Sequence, residues 1–349
     1  MKDLIKFNKT TREWHLPFVA GLCVGIPVLL GWYFGNLGAG KLASLAGLGI
    51  LYMQSDKLNE RMALLMTCSF GILTSFSLGL FFSFHPAVAA AFIALYGFCV
   101  HYSLYHLGLT RPPGNFFFIM IASFAVCTPF DPASIPVKIG YVGMGAILTC
   151  GLGLVYSILT LRKSTVADHH IPLKKAHINL TESLVFGAFL GLSLGVAFLL
   201  ELQNPYWVPV SCAAVMQGSD IHKVSVRGLQ RIVGTLAGLG ITWVVFTCNP
   251  TPLFIVIGIT VLQVIVEFLV VRNYAVAVIF LTILTIFLAE SGDQLSEQTN
   301  SLFLSRFIDI ALGSCIGIVG GRLLYNKRMN SYTRISIRKT RELVRRKQS

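Results

Sequence analysis

The chain has 349 residues, of which 54% are hydrophobic and only 12% are charged, with a formal net charge of +13. Soluble domains average about 25% charged residues, so this composition cannot cover a water-facing surface and excludes an ordinary soluble fold. The apolar residues fall into runs broken at regular intervals, as many membrane spans do. The excess of Lys and Arg then reads as cytoplasmic loops, and nucleic-acid binding is not indicated.

Twelve candidate spans can be placed at about 17–35, 39–54, 61–82, 86–105, 115–129, 137–161, 182–201, 205–217, 230–248, 251–270, 274–289 and 301–324. A full span needs about 20 apolar residues. The second, fifth, eighth and eleventh fall short, and are expected to be tilted, partly unwound or shielded from lipid by neighbours. Short segments at matching positions of two halves point to a transport site. Residues Met1 to His15 are polar and basic, and no small-residue cleavage site follows the first apolar run, so no cleavable secretory signal is expected.

Charge sets the expected orientation. With both termini in the cytoplasm, 25 of the 28 Lys and Arg residues lie inside, and only Lys41, Lys138 and Arg306 lie outside. An odd number of spans would scramble this asymmetry. The eight Cys residues show no CxxC spacing, so they read as small apolar packing residues rather than metal or redox ligands. No cofactor loop is indicated, because no glycine run follows a strand.

The chain also repeats. Met53-Gln54-Ser55-Asp56 ends the second span and Met216-Gln217-Gly218-Ser219-Asp220 ends the eighth, while His85-Pro86 and Asn249-Pro250 open the fourth and tenth. Lys138 and Arg306 both begin a sixth span, with Gly145 and Gly313, then Gly153 and Gly321, at the same offset of 168. The expected organisation is a first six-span repeat over 1–161, a cytoplasmic linker over 162–177, a second repeat over 178–325 and a basic tail over 326–349. Six is even, so the repeats would be parallel, related by a pseudo-two-fold axis along the membrane normal. The tail carries nine cations and one acid. It reads either as a solvated positive-inside segment or as a binder of anionic lipid.

Several residues stand out as candidates for chemistry. Lys223, Arg227 and Arg231 follow the eighth span, and Arg227 and Arg231 lie one helical turn apart on one face. Two guanidinium groups there can meet one carboxylate bidentately and stay charged when buried; the plainer reading is a positive-inside loop. Arg231 lies closest to the following apolar run. Arg306 and Asp309 are three residues apart in the twelfth span and can meet on one face, as a helix-packing ion pair or at a substrate. Lys138 and Arg306, at equivalent outer positions, are candidates for a cationic ring near the axis.

Glu267 is the one acid well inside the tenth span. It is expected to pair with Arg272, Arg231 or another cation, or to carry a coupling proton. His101 and His106 read as interfacial packing residues. Tyr206 and Trp207 read as interfacial belt aromatics or as stacking partners for an aromatic substrate. Gly21, Gly25, Gly234, Gly238, Gly313, Gly317 and Gly321 fall four apart and are expected to let helices approach closely.

Over Tyr206-Trp207-Val208-Pro209, Arg227-Gly228-Leu229-Gln230-Arg231-Ile232-Val233-Gly234-Thr235 and Ser305-Arg306-Phe307-Ile308-Asp309-Ile310-Ala311-Leu312-Gly313, with Tyr274 following Arg272, the sequence resembles the fusaric acid resistance and aromatic acid exporter family. The resemblance covers 181–325. It is weaker over 1–161, where the repeat carries it, and the basic pair is not doubled: Arg231 falls opposite Cys68 and Arg227 opposite Leu64. The family is also similar to the plant aluminium-activated malate transporters, in which two six-span units form a basic anion pathway. The large cytosolic domain common in the family has no counterpart in this sequence.

The reading is an all-α, polytopic membrane protein of about twelve spans in two parallel six-helix repeats, in the bacterial inner membrane with both termini cytoplasmic. The resemblance implies export of small organic anions, with aromatic carboxylates a candidate class, and coupling to protons. A passive anion channel and a non-transporting scaffold or lipid-binding protein are the alternatives. Expected partners are the organic anion, the bilayer and anionic lipid at the tail. A homo-oligomer is compatible with the sequence.

Overall fold

A computed structural model describes residues 12–53, 55, 57–106, 112–160, 176–248, 250–289 and 299–325. The basic tail, Arg111, Gln54 and Asp56 of the first motif copy, and nearly all of the 162–177 linker lie outside the described residues. Within them the chain forms twelve α-helices and no strand: α1 Leu16–Tyr33, α2 Leu37–Gly47, α3 Leu58–Phe81, α4 Pro86–His106, α5 Phe116–Val126, α6 Ile135–Thr160, α7 Ala176–Leu199, α8 Trp207–Met216, α9 Ile221–Thr247, α10 Pro252–Val270, α11 Tyr274–Ala289 and α12 Thr299–Leu324. A 3-10 turn over Leu48–Tyr52 extends α2.

Eight of these helices are long and apolar enough to cross a membrane. The four shorter apolar ones are α2 with its 3-10 extension, α5, α8 and α11, the positions at which short spans were expected. They are shielded. All ten residues of α8 are buried, and so are seven of the eleven in α5. The long helices carry the exposed apolar side chains instead, such as Leu22, Phe70, Ile147, Leu184 and Val233. This division follows from length. A ten-residue helix rises only about 15 Å, so in a hydrocarbon layer about 30 Å thick its ends must be covered by protein.

The helix boundaries explain one difference from the sequence reading. The ninth span was expected to start at residue 230, but α9 starts at Ile221. Asp220 caps it, its side chain accepting from the Lys223 amide at 2.8 Å, and that bond holds the Asp220 carboxyl below the usual carboxylate range. Lys223, Arg227 and Arg231 therefore stand on three successive turns of one helix rather than in a loop. Hydropathy misses this because a helix continues past its apolar run wherever backbone hydrogen bonds and a cap sustain it. Thr251 caps α10 in the same manner, accepting from Phe254 at 3.3 Å with Pro252 in the first turn.

Packing joins distant parts of the chain. α2 packs on α6, α3 on α5 and α6, α8 on α12, and α9 on α11 and α12, while α1 packs on α10 and α4 on α7. The last two contacts tie the N-terminal part to the C-terminal part. Both are built on glycine. Gly21 and Gly25 of α1 face Val264 and Thr260 of α10, and Gly187 and Gly191 of α7 face Phe98, Ala94 and Ala90 of α4. Gly234 and Gly238 lie against α11, and Gly313 and Gly317 against α8, so these expected close approaches are present. Dispersion across such contacts holds helices together where lipid removes the hydrophobic driving force.

A Cβ at Gly191 would meet the Ala94 methyl at 2.5 Å, whereas Gly143 in α6 has nothing within 4 Å. Gly191→Val should lower the melting temperature of the detergent-solubilised protein, with an overpacking cost of about 1–3 kcal/mol. Gly143→Ala should leave it unchanged or raise it slightly.

Candidate functional site

A cavity of about 1570 Å³ runs through the bundle. It is lined along the length of α11, from Tyr274 through Leu281, Leu284 and Leu288 to Ala289, a rise of roughly 22 Å. Residues of the other short helices also line it: Lys41 and Leu45 of α2, Phe117, Met120 and Phe124 of α5, Trp207, Val210 and Ala214 of α8. All four helices too short to span thus line the cavity, together with parts of the long ones, among them Arg61 of α3, Arg227 and Arg231 of α9 and Glu267 of α10.

The cavity is basic. Among the described residues, six cationic side chains, Arg12, Lys41, Arg61, Arg227, Arg231 and Arg272, line it against two carboxylates, Glu13 and Glu267. Its remaining walls are mainly apolar and aromatic, with a few neutral polar side chains such as Ser44, Asn115, Gln217 and Gln263. A concave, low-dielectric space lined mainly by one sign of charge concentrates counter-ions.

Arg227 and Arg231 converge on one residue. Arg231 is buried and donates from Nη1 to the Tyr274 hydroxyl at 3.1 Å, and the Arg227 guanidinium lies over the Tyr274 ring at 4.2 Å from its centroid. Tyr274 is the first residue of α11, so the α9–α11 contact, opened by Gly234 against Ala275 and Val278, sets this distance. Nε of both arginines is buried without a hydrogen-bond partner. The two guanidiniums are therefore held in place with N–H capacity unused, which suits a carboxylate.

Glu267 is 4% exposed and pairs with neither Arg272 nor Arg231. Its partner is Arg12, which donates from Nη1 to Oε2 at 3.0 Å, while Gln263 donates to Oε1 at 3.2 Å. The next residue, Glu13, reaches the opposite way: it accepts from the Tyr156 hydroxyl at 2.5 Å and lies 4.0 Å from Arg61. Arg61 also bonds the Ser55 carbonyl and Thr160. Two consecutive residues before α1 thus tie α10 to α3 and α6 across one end of the cavity. Arg272 instead lies over Phe268, at 5.6 Å from the ring centroid.

Tyr206 and Trp207 line the cavity rather than forming an outward belt; Trp207 is 8% exposed. Their rings lie 5.0 Å apart, and Tyr206 meets Phe124 edge-on. Arg306 and Asp309 do not form the expected ion pair. The Arg306 guanidinium lies over Trp207 instead, 3.9 Å from the ring centroid, and neither Asp309 oxygen has a hydrogen-bond partner. Spacing of three residues puts both on the face of α12 that packs on α8, but the side-chain torsions decide what each head group meets. Neither Arg306 nor Lys138 lines the cavity. Lys138 is half-buried at the start of α6, in the field of Asp131. His101 is buried rather than interfacial: its Nδ1 meets the Ser183 hydroxyl at 2.8 Å, and its ring stacks on Tyr105 and Phe186.

Sequence reasoning missed Arg12, Arg61, Gln263 and the central place of Tyr274. The first two were counted as cytoplasmic loop charges. A signal was available for Arg61, which opens the span that the expected repeat sets opposite the one carrying Arg227 and Arg231. Gln217 was likewise overlooked; it donates to the Asn115 side chain at 3.2 Å and ties the end of α8 to the start of α5.

The Arg12–Glu267 pair yields a stability test. Glu267→Leu leaves Arg12 without its carboxylate and should destabilise the folded protein by about 3 kcal/mol or more, and Arg12→Met/Glu267→Leu together should recover most of that loss. Melting curves of the two variants and the parent read this directly.

Residues 190–320 match the family model described as fusaric acid resistance protein-like. A relative from Bacillus subtilis (strain 168), an uncharacterized membrane protein called YvaC, is 33% identical over 166 residues, which is 48% of this chain. The chain spans about a quarter of that relative's length, 25%. No solved structure matches the chain. The matched segment holds α8, α9 and α11, with Trp207, Arg227, Arg231 and Tyr274, as well as Arg306 and Asp309 of α12. Residues 190–320 of this all-helical chain, whose longer helices can cross a membrane, are thus similar to the fusaric acid resistance protein-like family.

Proposed function

We propose that the protein is a transporter that exports small organic anions across the bacterial inner membrane, with aromatic carboxylates as the favoured class. The observation that carries this reading is a cavity walled along four short helices, into which two arginines project from one face of α9. In this reading the carboxylate takes the unused N–H groups of Arg227 and Arg231, displacing or sharing the Tyr274 hydroxyl. Phe117, Phe124, Tyr206 and Trp207 supply flat apolar surface for a ring. The work is binding and passage, not catalysis.

The two-repeat organisation belongs to the same proposal. Its support is that helix contacts recur: α2 on α6 and α8 on α12, α3 on α5 and α9 on α11, α1 on α10 and α7 on α4. Gly21 and Gly25 against Val264 and Thr260 correspond to Gly187 and Gly191 against Phe98 and Ala94, each residue displaced by 166 positions. On this reading the units are 1–161 and 178–325, with both termini cytoplasmic, and the tail contacts anionic lipid. The arginines break the symmetry, so the two walls of the cavity differ chemically.

Proton coupling is assigned to Glu267, a buried acid in the cavity wall whose carboxylate is held by Arg12 and Gln263. Protonating it would release Arg12 and loosen the tie before α1. A passive channel is the second reading, favoured by the length over which the cavity follows α11.

Flux of benzoate into proteoliposomes, with and without a pH gradient, decides among these. Uphill movement that needs the gradient is expected. Currents that follow the benzoate potential alone would replace the exporter by a channel, and no flux from correctly inserted protein would sink both in favour of a scaffold. Arg231→Ala should insert normally and lower benzoate flux at subsaturating concentration roughly tenfold or more, the loss of one charge-assisted hydrogen bond. Unchanged flux would remove Arg231 from the site.

A further inference from the structure

Arg306 is among the largest fully buried side chains, 1% exposed, and among the described residues Nε, Nη1 and Nη2 all lack a hydrogen-bond partner. Its one strong contact is the face of Trp207 at 3.9 Å. Asp309, one turn further along α12, is 0% exposed with both oxygens unpartnered. The Trp207 indole N–H is buried and unpartnered as well. A guanidinium does not lose its charge on burial. Leaving all its donors empty costs far more than a cation–π contact of about 2 kcal/mol returns.

The position of Trp207 gives this arrangement a use. Trp207 lines the cavity and Arg306 does not, so the indole stands between the cavity and a guanidinium with every donor unused. We propose that Trp207 is a gate and that Arg306 behind it is a second carboxylate subsite, occupied when the indole turns aside. The proposal rests on the anion-transport reading and adds a station beyond Arg231. An anion leaving the Arg227–Arg231 pair would pass along α8 to Arg306, where its carboxylate takes the Nε and Nη donors.

Asp309 makes this station a weak one. Its carboxyl sits one turn from the guanidinium and repels a bound anion when ionised, so release stays fast. Sites along a conduction path must bind well enough to be entered and weakly enough to be left.

The test uses the full chain with Trp14, Trp32 and Trp243 replaced by Phe, so that Trp207 is the only indole. Benzoate should produce a saturable change in Trp207 emission, and benzamide, a neutral molecule of the same shape, should not. Arg306→Gln should shift the benzoate half-saturation upward by roughly tenfold or more, Arg306→Lys should shift it less, and Arg231→Ala should leave a saturable response in place. Equal responses to benzoate and benzamide would overturn the subsite, as would an unchanged half-saturation in Arg306→Gln. If Arg306→Gln does not fold, the benzoate–benzamide comparison in Arg231→Ala, which keeps Arg306, still decides: a saturable response to benzoate alone supports the subsite, and no response overturns it. Loss of flux with the Trp207 response intact sinks the transport reading alone; flux without that response sinks the subsite alone.

Discussion

A helix of 10 to 16 residues, such as α8 or α11, rises only about 15–24 Å and cannot by itself cross a hydrocarbon layer about 30 Å thick. Its terminal N–H and C=O groups would otherwise face lipid, where nothing hydrogen-bonds them. Much of the architecture follows from that limit. The short helices must lie inside, longer helices must enclose them, and the places where the short ones stop become polar. The Asn115–Gln217 contact and the bond from Tyr52 to the Gly114 carbonyl at 2.7 Å sit at three of those ends.

Close helix packing then fixes the chemistry. The glycine-lined contact of α9 with α11 brings Arg227 and Arg231 to Tyr274, and that of α8 with α12 brings Arg306 to Trp207. In both places an aromatic ring of one helix holds a guanidinium of another. An aromatic face attracts a cation without neutralising it, so positive charge is positioned and stays available. Carboxylate partners would have fixed these arginines as static ion pairs. Among the described residues, the one arginine in the cavity that has such a partner at short distance is Arg12, and its bond to Glu267 ties two parts of the chain together.

The asymmetry between the two parts of the chain has the same origin. The helix contacts recur, but the groups they present to the cavity do not. Arg61 stands on α3, its guanidinium bound to Ser55 and Thr160, while Arg227 and Arg231 stand on α9 and meet a tyrosine. A scaffold of repeated contacts can therefore carry a one-sided site, because backbone packing is set by small residues and the site by the few long ones.

Much of this was legible in the sequence. The twelve apolar segments, the four that fall short, the glycines at the contacts and the face shared by Arg227 and Arg231 all follow from hydropathy and helical periodicity, which are properties of neighbouring residues. Tertiary structure alone decided which head groups meet. Arg12 finds Glu267 across 255 residues of chain, Arg306 turns to Trp207 rather than to Asp309 three residues away, and Tyr206 and Trp207 face inward. The sequence lists which charges exist and on which face of a helix they stand. Where a long, flexible side chain places its charge depends on what the neighbouring helix offers within reach, and spacing along one chain does not contain that information.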